Sequence, residues 1–154
     1  MAKGIKKKYD ALRKKHKLPG FEELDAEFEI SDIEPDGSVL REVRKKIADK
    51  IGHVCGTVEQ VLHPETNLAD LYESRVLDEQ EKKELFEMYK KLMAAERRCV
   101  ELFISSDEKL DGAFIKSFSA EWKTLKPQLV KLIRKLRESW EKETEEGETA
   151  GYMG

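Results

Sequence analysis

Apolar residues recur along this chain in steps of three and four, the spacing that gathers side chains on one face of a helix. The longest run is Leu40, Val43, Ile47, Ile51, Val54, Val58 and Val61. Ser38 offers an N-cap oxygen before it and Pro64 follows it, so a helix is predicted over 38–63. A second run carries Leu85, Tyr89, Leu92, Cys99 and Phe103, flanked by Met88, Met93 and Val100. Asp78, with Glu81 three residues on, resembles a capping box, which sets that helix at 79–105. The third run is Ile115, Phe118, Trp122, Leu125, Leu129, Leu132, Leu136 and Trp140, predicting a helix over 112–142 that begins near Asp111 or Gly112. Pro127 falls on its outer face, where a kink hands the freed carbonyl to water, so one bent helix is preferred over two.

Shorter pieces stand at the front. Ile5, Tyr9, Leu12 and His16 predict a helix over 3–17, stopped by Leu18, Pro19 and Gly20. Phe21, Leu24 and Phe28 mark an acidic helix near 21–28, and Asn67 can cap another near 67–77. Pro35, Asp36 and Gly37 read as a turn, with Ile30 and Ile33 tucking against the bundle. The expected fold is all-α: an elongated bundle of three long helices completed by the shorter ones. Residues 1–142 form one domain, and 143–154 read as a frayed or disordered acidic tail.

A chain of 154 residues can bury one core. Charged residues make up 40% of it while Asn67, Gln60, Gln80 and Gln128 are its only side-chain amides, a balance that suggests a thermophilic source. Cys55 and Cys99 form no CxxC pair and are expected as reduced thiols, which implies a cytoplasmic location. No apolar run approaches the roughly 18 residues of a membrane span, so no membrane association is expected.

Charge is sorted along the chain. Residues 1–18 hold eight Lys or Arg against Asp10 alone, and residues 21–36 hold eight acids and no base. Residues 123–137 then hold six bases and no acid. Lys6, Lys7, Lys8, Arg13, Lys14, Lys15 and Lys17, with Lys131, Arg134, Lys135 and Arg137, are therefore candidates for binding phosphates or an acidic partner. The competing expectation is that the first helix pairs with the acidic 21–36 segment.

Glu96 falls between Leu92 and Cys99 on the apolar stripe, so it requires a partner. Arg75 is the expected one, forming a buried pair; Tyr72 or Tyr89 could instead hydrogen-bond it, and a catalytic carboxylate is the alternative. Gly52 and Gly56 lie four apart with Asp49, Gln60 and His63 on the face opposite the valines, and are expected to let another backbone approach closely. His53 and His63 stand ten residues apart, about 15 Å along one helix, too far to share an ion. His16 reads as a packed core or rim residue. No nucleophile elbow, metal site or cofactor motif is present, and no catalytic residue is assigned.

These patterns predict a non-enzymatic adaptor or regulatory protein that binds another macromolecule, most simply a protein. The alternatives are RNA or ribosome binding through the basic first and last helices, and a small enzyme centred on Glu96. A homodimer is a further expectation, because three long stripes offer more apolar surface than one short helix covers.

Overall fold

A computed structural model describes residues 2–34 and 36–142; the tail expected beyond them lies outside the described residues. The elements are α1 (Ala2–His16), α2 (Phe21–Phe28), a 3-10 turn (Ile30–Asp32), α3 (Val39–Leu62), α4 (Leu68–Ser74), α5 (Glu79–Ser105) and α6 (Glu108–Glu141). Among the described residues there is no strand. The protein is an all-α bundle built on α3, α5 and α6, as the apolar periodicity predicts. No helix of the described residues is long and apolar enough to cross a membrane.

Only Ser106 and Asp107 join α5 to α6, so these helices run antiparallel. Arg44 of α3 meets Cys99 of α5, and Glu59 meets Tyr89, so α3 is antiparallel to α5 and parallel to α6. The core is continuous. Leu40, Val43, Ile47, Ile51, Val58 and Val61 are buried along α3, and α5 presents Leu85, Met88, Leu92, Ala95, Cys99 and Leu102 in alternating steps of three and four. Removing such side chains from water stabilises the fold by about 1.5–3 kcal/mol for each large aliphatic.

The helix starts follow from side-chain caps. Ser38 accepts from the Arg41 amide, Asn67 from the Asp70 amide, and Asp78 with Glu81 forms a reciprocal capping box. The start of α6 differs from expectation, at Glu108 rather than near 112. Asp107 caps it by accepting from the Lys109 amide, and Ser106 closes α5 in the left-handed region at φ 51°. The turn thus needs two residues, and Asp111 lies inside the first turn of α6 instead of capping it. The helix near 67–77 is also shorter, ending at Ser74 with Arg75 as its C-cap. Helix α6 runs unbroken through Pro127, which is exposed, so the carbonyl of Lys123 that lacks its usual donor faces water.

Helices α1 and α2 lie across the seam between α3 and α6. Ile5 and Tyr9 of α1 and Phe21, Leu24 and Phe28 of α2 are buried there, as are Ile30 and Ile33. The Tyr9 hydroxyl donates to the Pro19 carbonyl at 2.5 Å, pinning the α1–α2 turn. Phe28 packs on Phe118 and Trp122 of α6, with ring centroids 6.3 and 6.2 Å apart. With 15 residues in α1 and 34 in α6, this layer covers only part of the seam. The remainder bears on function.

Candidate functional site

The deepest polar contact is one that the apolar pattern did not single out. Arg44 Nε donates to Asp111 Oδ1 at 2.8 Å, with the side chains 4% and 3% exposed. Arg44 Nη1 also donates to the Cys99 carbonyl at 3.2 Å, so one guanidinium ties α3, α5 and α6 together. Burial pushes the Asp111 carboxyl above its ordinary value, while the charge and hydrogen bond of Arg44 oppose that rise. Both residues occupy apolar-stripe positions, Arg44 four after Leu40 and three before Ile47, Asp111 four before Ile115. That spacing was the available signal.

The buried pair expected between Glu96 and Arg75 does not form. Arg75 is exposed at the end of α4, and the Glu96 side chain is 30% exposed and pairs with its neighbour Arg97. Neither tyrosine takes its place: Tyr72 donates to the Ser139 carbonyl at 2.8 Å, and Tyr89 donates to Glu59. The reason is a shift of phase. The buried seam of α5 runs through Met88 and Leu102 rather than Tyr89 and Phe103, which rotates Glu96 from the stripe's middle to its edge.

The close-packing expectation for Gly52 and Gly56 also fails, because both are exposed and a Cβ built on either meets nothing within 4 Å. The close approach occurs at Gly112, where a Cβ would come 3.1 Å from the His16 ring. His16 is thus a packed rim residue, with Nε2 3.3 Å from Glu108. Gly56 instead lines a groove of about 740 Å³ with Glu59, Gln60, His63 and Phe86. Cys55 and Cys99 are free and buried, and burial pushes both thiols up to about 11. Among the described residues no group of three or more His, Cys, Asp or Glu side chains is arranged to hold a metal.

Helix α2 matches part of the sorted charge within the chain. Its Glu22 pairs with Lys6 at 2.5 Å, Glu23 with Lys123 at 2.7 Å, and Glu27 with Lys126 at 2.5 Å. Glu27 also accepts from Trp122 Nε1 at 2.8 Å, and its carboxylate lies 3.9 Å from Lys50 Nζ. Burial raises the Glu27 pKa, but the bonds from Lys126 and Trp122 and the charges of Lys126 and Lys50 together hold it below the usual value. Asp32, in the turn after α2, pairs with Lys46 at 3.0 Å.

Other candidate cations are also engaged: Lys15 with Glu108 at 3.8 Å, Lys135 with Glu81 at 2.7 Å, and Arg137 with Glu141 at 2.6 Å. Lys7, Arg13, Lys14, Lys17, Lys131 and Arg134 are exposed and have no ion pair with a described residue, and Lys8 is exposed too. The basic sets of α1 and α6 do not merge into one face, because acidic α2 bridges between them.

Beyond α2 the seam between α3 and α6 opens into a groove of about 550 Å³. Val54, Leu129, Val130 and Ile133 contribute its apolar lining, and Lys50, Lys126, Arg134 and Arg137 its cations; among the described residues no acid lines it. Val130 is 41% exposed. Further along, Trp140 shares the helical phase of Trp122, eighteen residues or five turns earlier, and its ring packs tilted against Tyr72 of α4, with centroids 4.2 Å apart. One face of α6 therefore carries α2 at one end and meets Tyr72 of α4 at the other, where Trp140 stays 49% exposed. Between them no described residue covers it. No protein-family model, curated protein or solved structure matches this chain. The groove escapes sequence reading because Val54, Leu129 and Ile133 look like any other stripe residues until the resting place of α2 is known.

Proposed function

We propose that this protein is a non-enzymatic interaction module that docks a helical segment of another protein into the open half of the α3/α6 seam. The observation that carries the reading is the apolar, cation-edged groove, which continues a position that helices already occupy in the same bundle. A fourth helix laid there would bury Val130, Ile133 and Val54 and complete a four-helix cross-section. Burial of such aliphatics supplies affinity, and the flanking cations supply orientation and steering.

Phage-displayed random peptides selected on the full chain test this. Enriched sequences should carry apolar residues at i, i+3 or i+4, and i+7, and should lose binding to a Val130→Glu variant. Selection that enriches nothing, or clones that bind Val130→Glu equally well, would overturn the reading.

A second reading, phosphate binding by α1, draws on the exposed cations Lys7, Arg13, Lys14 and Lys17. Its test is binding of an oligoribonucleotide across a salt series, since counterion release makes such affinity fall steeply with ionic strength. Absence of binding at low salt removes it.

A further inference from the structure

The filled and open halves of the α3/α6 seam present the same chemistry, and we infer that the occupant of the open half is an acidic amphipathic helix resembling α2, supplied by a partner protein. This rests on the seam being a protein-docking groove and adds the charge character of what docks.

Helix α2 shows what the seam accepts. It turns Phe21, Leu24 and Phe28 inward and places Glu23 and Glu27 against Lys123 and Lys126 of α6. Eleven residues along a helix advance it by about three turns, within roughly 20° of the starting direction. Residues eleven apart in α6 therefore face the same way. Eleven residues beyond Phe118 and Trp122, the floor under Phe28, stand Leu129 and Ile133. Eleven beyond Lys123 and Lys126 stand Arg134 and Arg137. The open groove thus repeats, three turns on, an apolar floor edged by two cations. Ser119, whose buried hydroxyl has no partner beneath α2, is followed at the same interval by Val130, so the repeat is the more apolar of the two.

The cations choose among occupants. Among the described residues Arg134 has no ion pair, and Arg137 is held only by exposed Glu141 one turn away. Acidic residues flanking an apolar helix face satisfy both, as Glu23 and Glu27 satisfy their lysines. A second copy docking groove to groove would set these arginines against themselves. A nucleic acid would use the cations but leave Val130 and Ile133 uncovered, and the groove's aromatic, Trp122, is only 6% exposed.

Three fluorescein-labelled, hydrocarbon-stapled peptides provide the test, each with the α2 spacing Phe-x-x-Leu-x-x-x-Phe and with flanking positions all Glu, all Gln or all Lys. Anisotropy titrations use the full chain, with a twelve-nucleotide oligouridylate as competitor. The Glu peptide should bind at least tenfold more tightly than the Gln peptide and weaken in 0.5 M NaCl. An Arg134→Glu/Arg137→Glu variant, with unchanged circular dichroism, should lose at least tenfold for the Glu peptide and favour the Lys peptide. Equal binding of Glu and Gln peptides overturns the inference while the docking groove stands. Failure of all three peptides to bind removes both. Displacement of the Glu peptide by sub-stoichiometric oligouridylate overturns the inference in favour of nucleic acid. The Glu-to-Gln comparison on the unmodified chain decides the matter even if the double variant misfolds.

Discussion

Arg44 and Asp111 make a sealed ion pair, 2.8 Å between Nε and Oδ1, at the point where the three long helices converge. Two charges removed from water are tolerated because each faces the other and the guanidinium has a second acceptor in the Cys99 carbonyl. Deleting one partner strands the other. Arg44→Ala or Asp111→Ala should each cost about 3–5 kcal/mol, whereas Arg44→Met combined with Asp111→Leu should cost much less than either single change. Urea unfolding of the four proteins checks this, and additive costs in the double variant would contradict it.

The exposed glycines of α3 offer a gain. A glycine inside a helix destabilises it by about 1 kcal/mol relative to alanine, and at Gly52 and Gly56 a new methyl meets open space. Gly52→Ala and Gly56→Ala should therefore each raise the midpoint of thermal unfolding. Gly112→Ala should lower it, because its Cβ would meet Cγ, Nδ1 and Cβ of His16 at 3.1, 3.2 and 3.3 Å, and Cβ and Cγ, at the root of the side chain, cannot swing aside without moving α1. Calorimetry of the three variants should give two shifts upward and one downward.

Acid should act on the α2 clasp. The Glu27 carboxyl lies below its ordinary value of 4.5 in the fold, and so do Glu22, through its bond from Lys6, and Glu81, through its bond from Lys135. A carboxylate with a lowered folded-state pKa contributes stability that is fully present above the unfolded value and is lost as pH falls through the folded one. Asp111, raised by burial, has the opposite sign and gains stability for the fold as it is protonated. With three groups against one, unfolding midpoints should fall below about pH 4.5. Glu27→Gln should flatten part of that fall, read by the fluorescence of Trp122, whose indole donates to Glu27.

Both thiols should be silent in the folded protein. Cys55 and Cys99 are buried and have values pushed up to about 11, so little thiolate exists near neutral pH. Ellman's reagent at pH 8 should react with neither within minutes natively and with both in denaturant. Fast native reaction at one of them would show that the α3/α5 seam opens locally.

Helices α3 and α5 were legible in the sequence because each combines an apolar stripe with a local start or stop signal, Ser38 and Pro64 around α3 and the Asp78–Glu81 box before α5, whereas the start of α6 at the Asp107 cap was missed. What periodicity left open was phase. In α5, Tyr89 and Phe103 look as apolar as Met88 and Leu102, and choosing the former placed Glu96 inside the core. Arg44 and Asp111 stood on correctly read stripes, yet an arginine followed by two lysines passes easily for surface. The division of the α3/α6 seam into covered and open halves depends on where short α2 comes to rest, which is a tertiary fact held by Phe28, Glu23 and Glu27.

If the open half of the α3/α6 seam is the working surface, the methyl groups that line it register a docked helix. The most direct measurement is a methyl-resolved nuclear magnetic resonance titration of the full chain with the Glu-flanked stapled peptide. Shifts are expected at Val54, Leu129, Val130 and Ile133, with none at Leu68, Val100 or Ile104, the three most exposed aliphatics elsewhere on the bundle. Shifts centred on those three residues with the groove methyls unmoved, or no shifts at saturating peptide, would contradict docking in the seam.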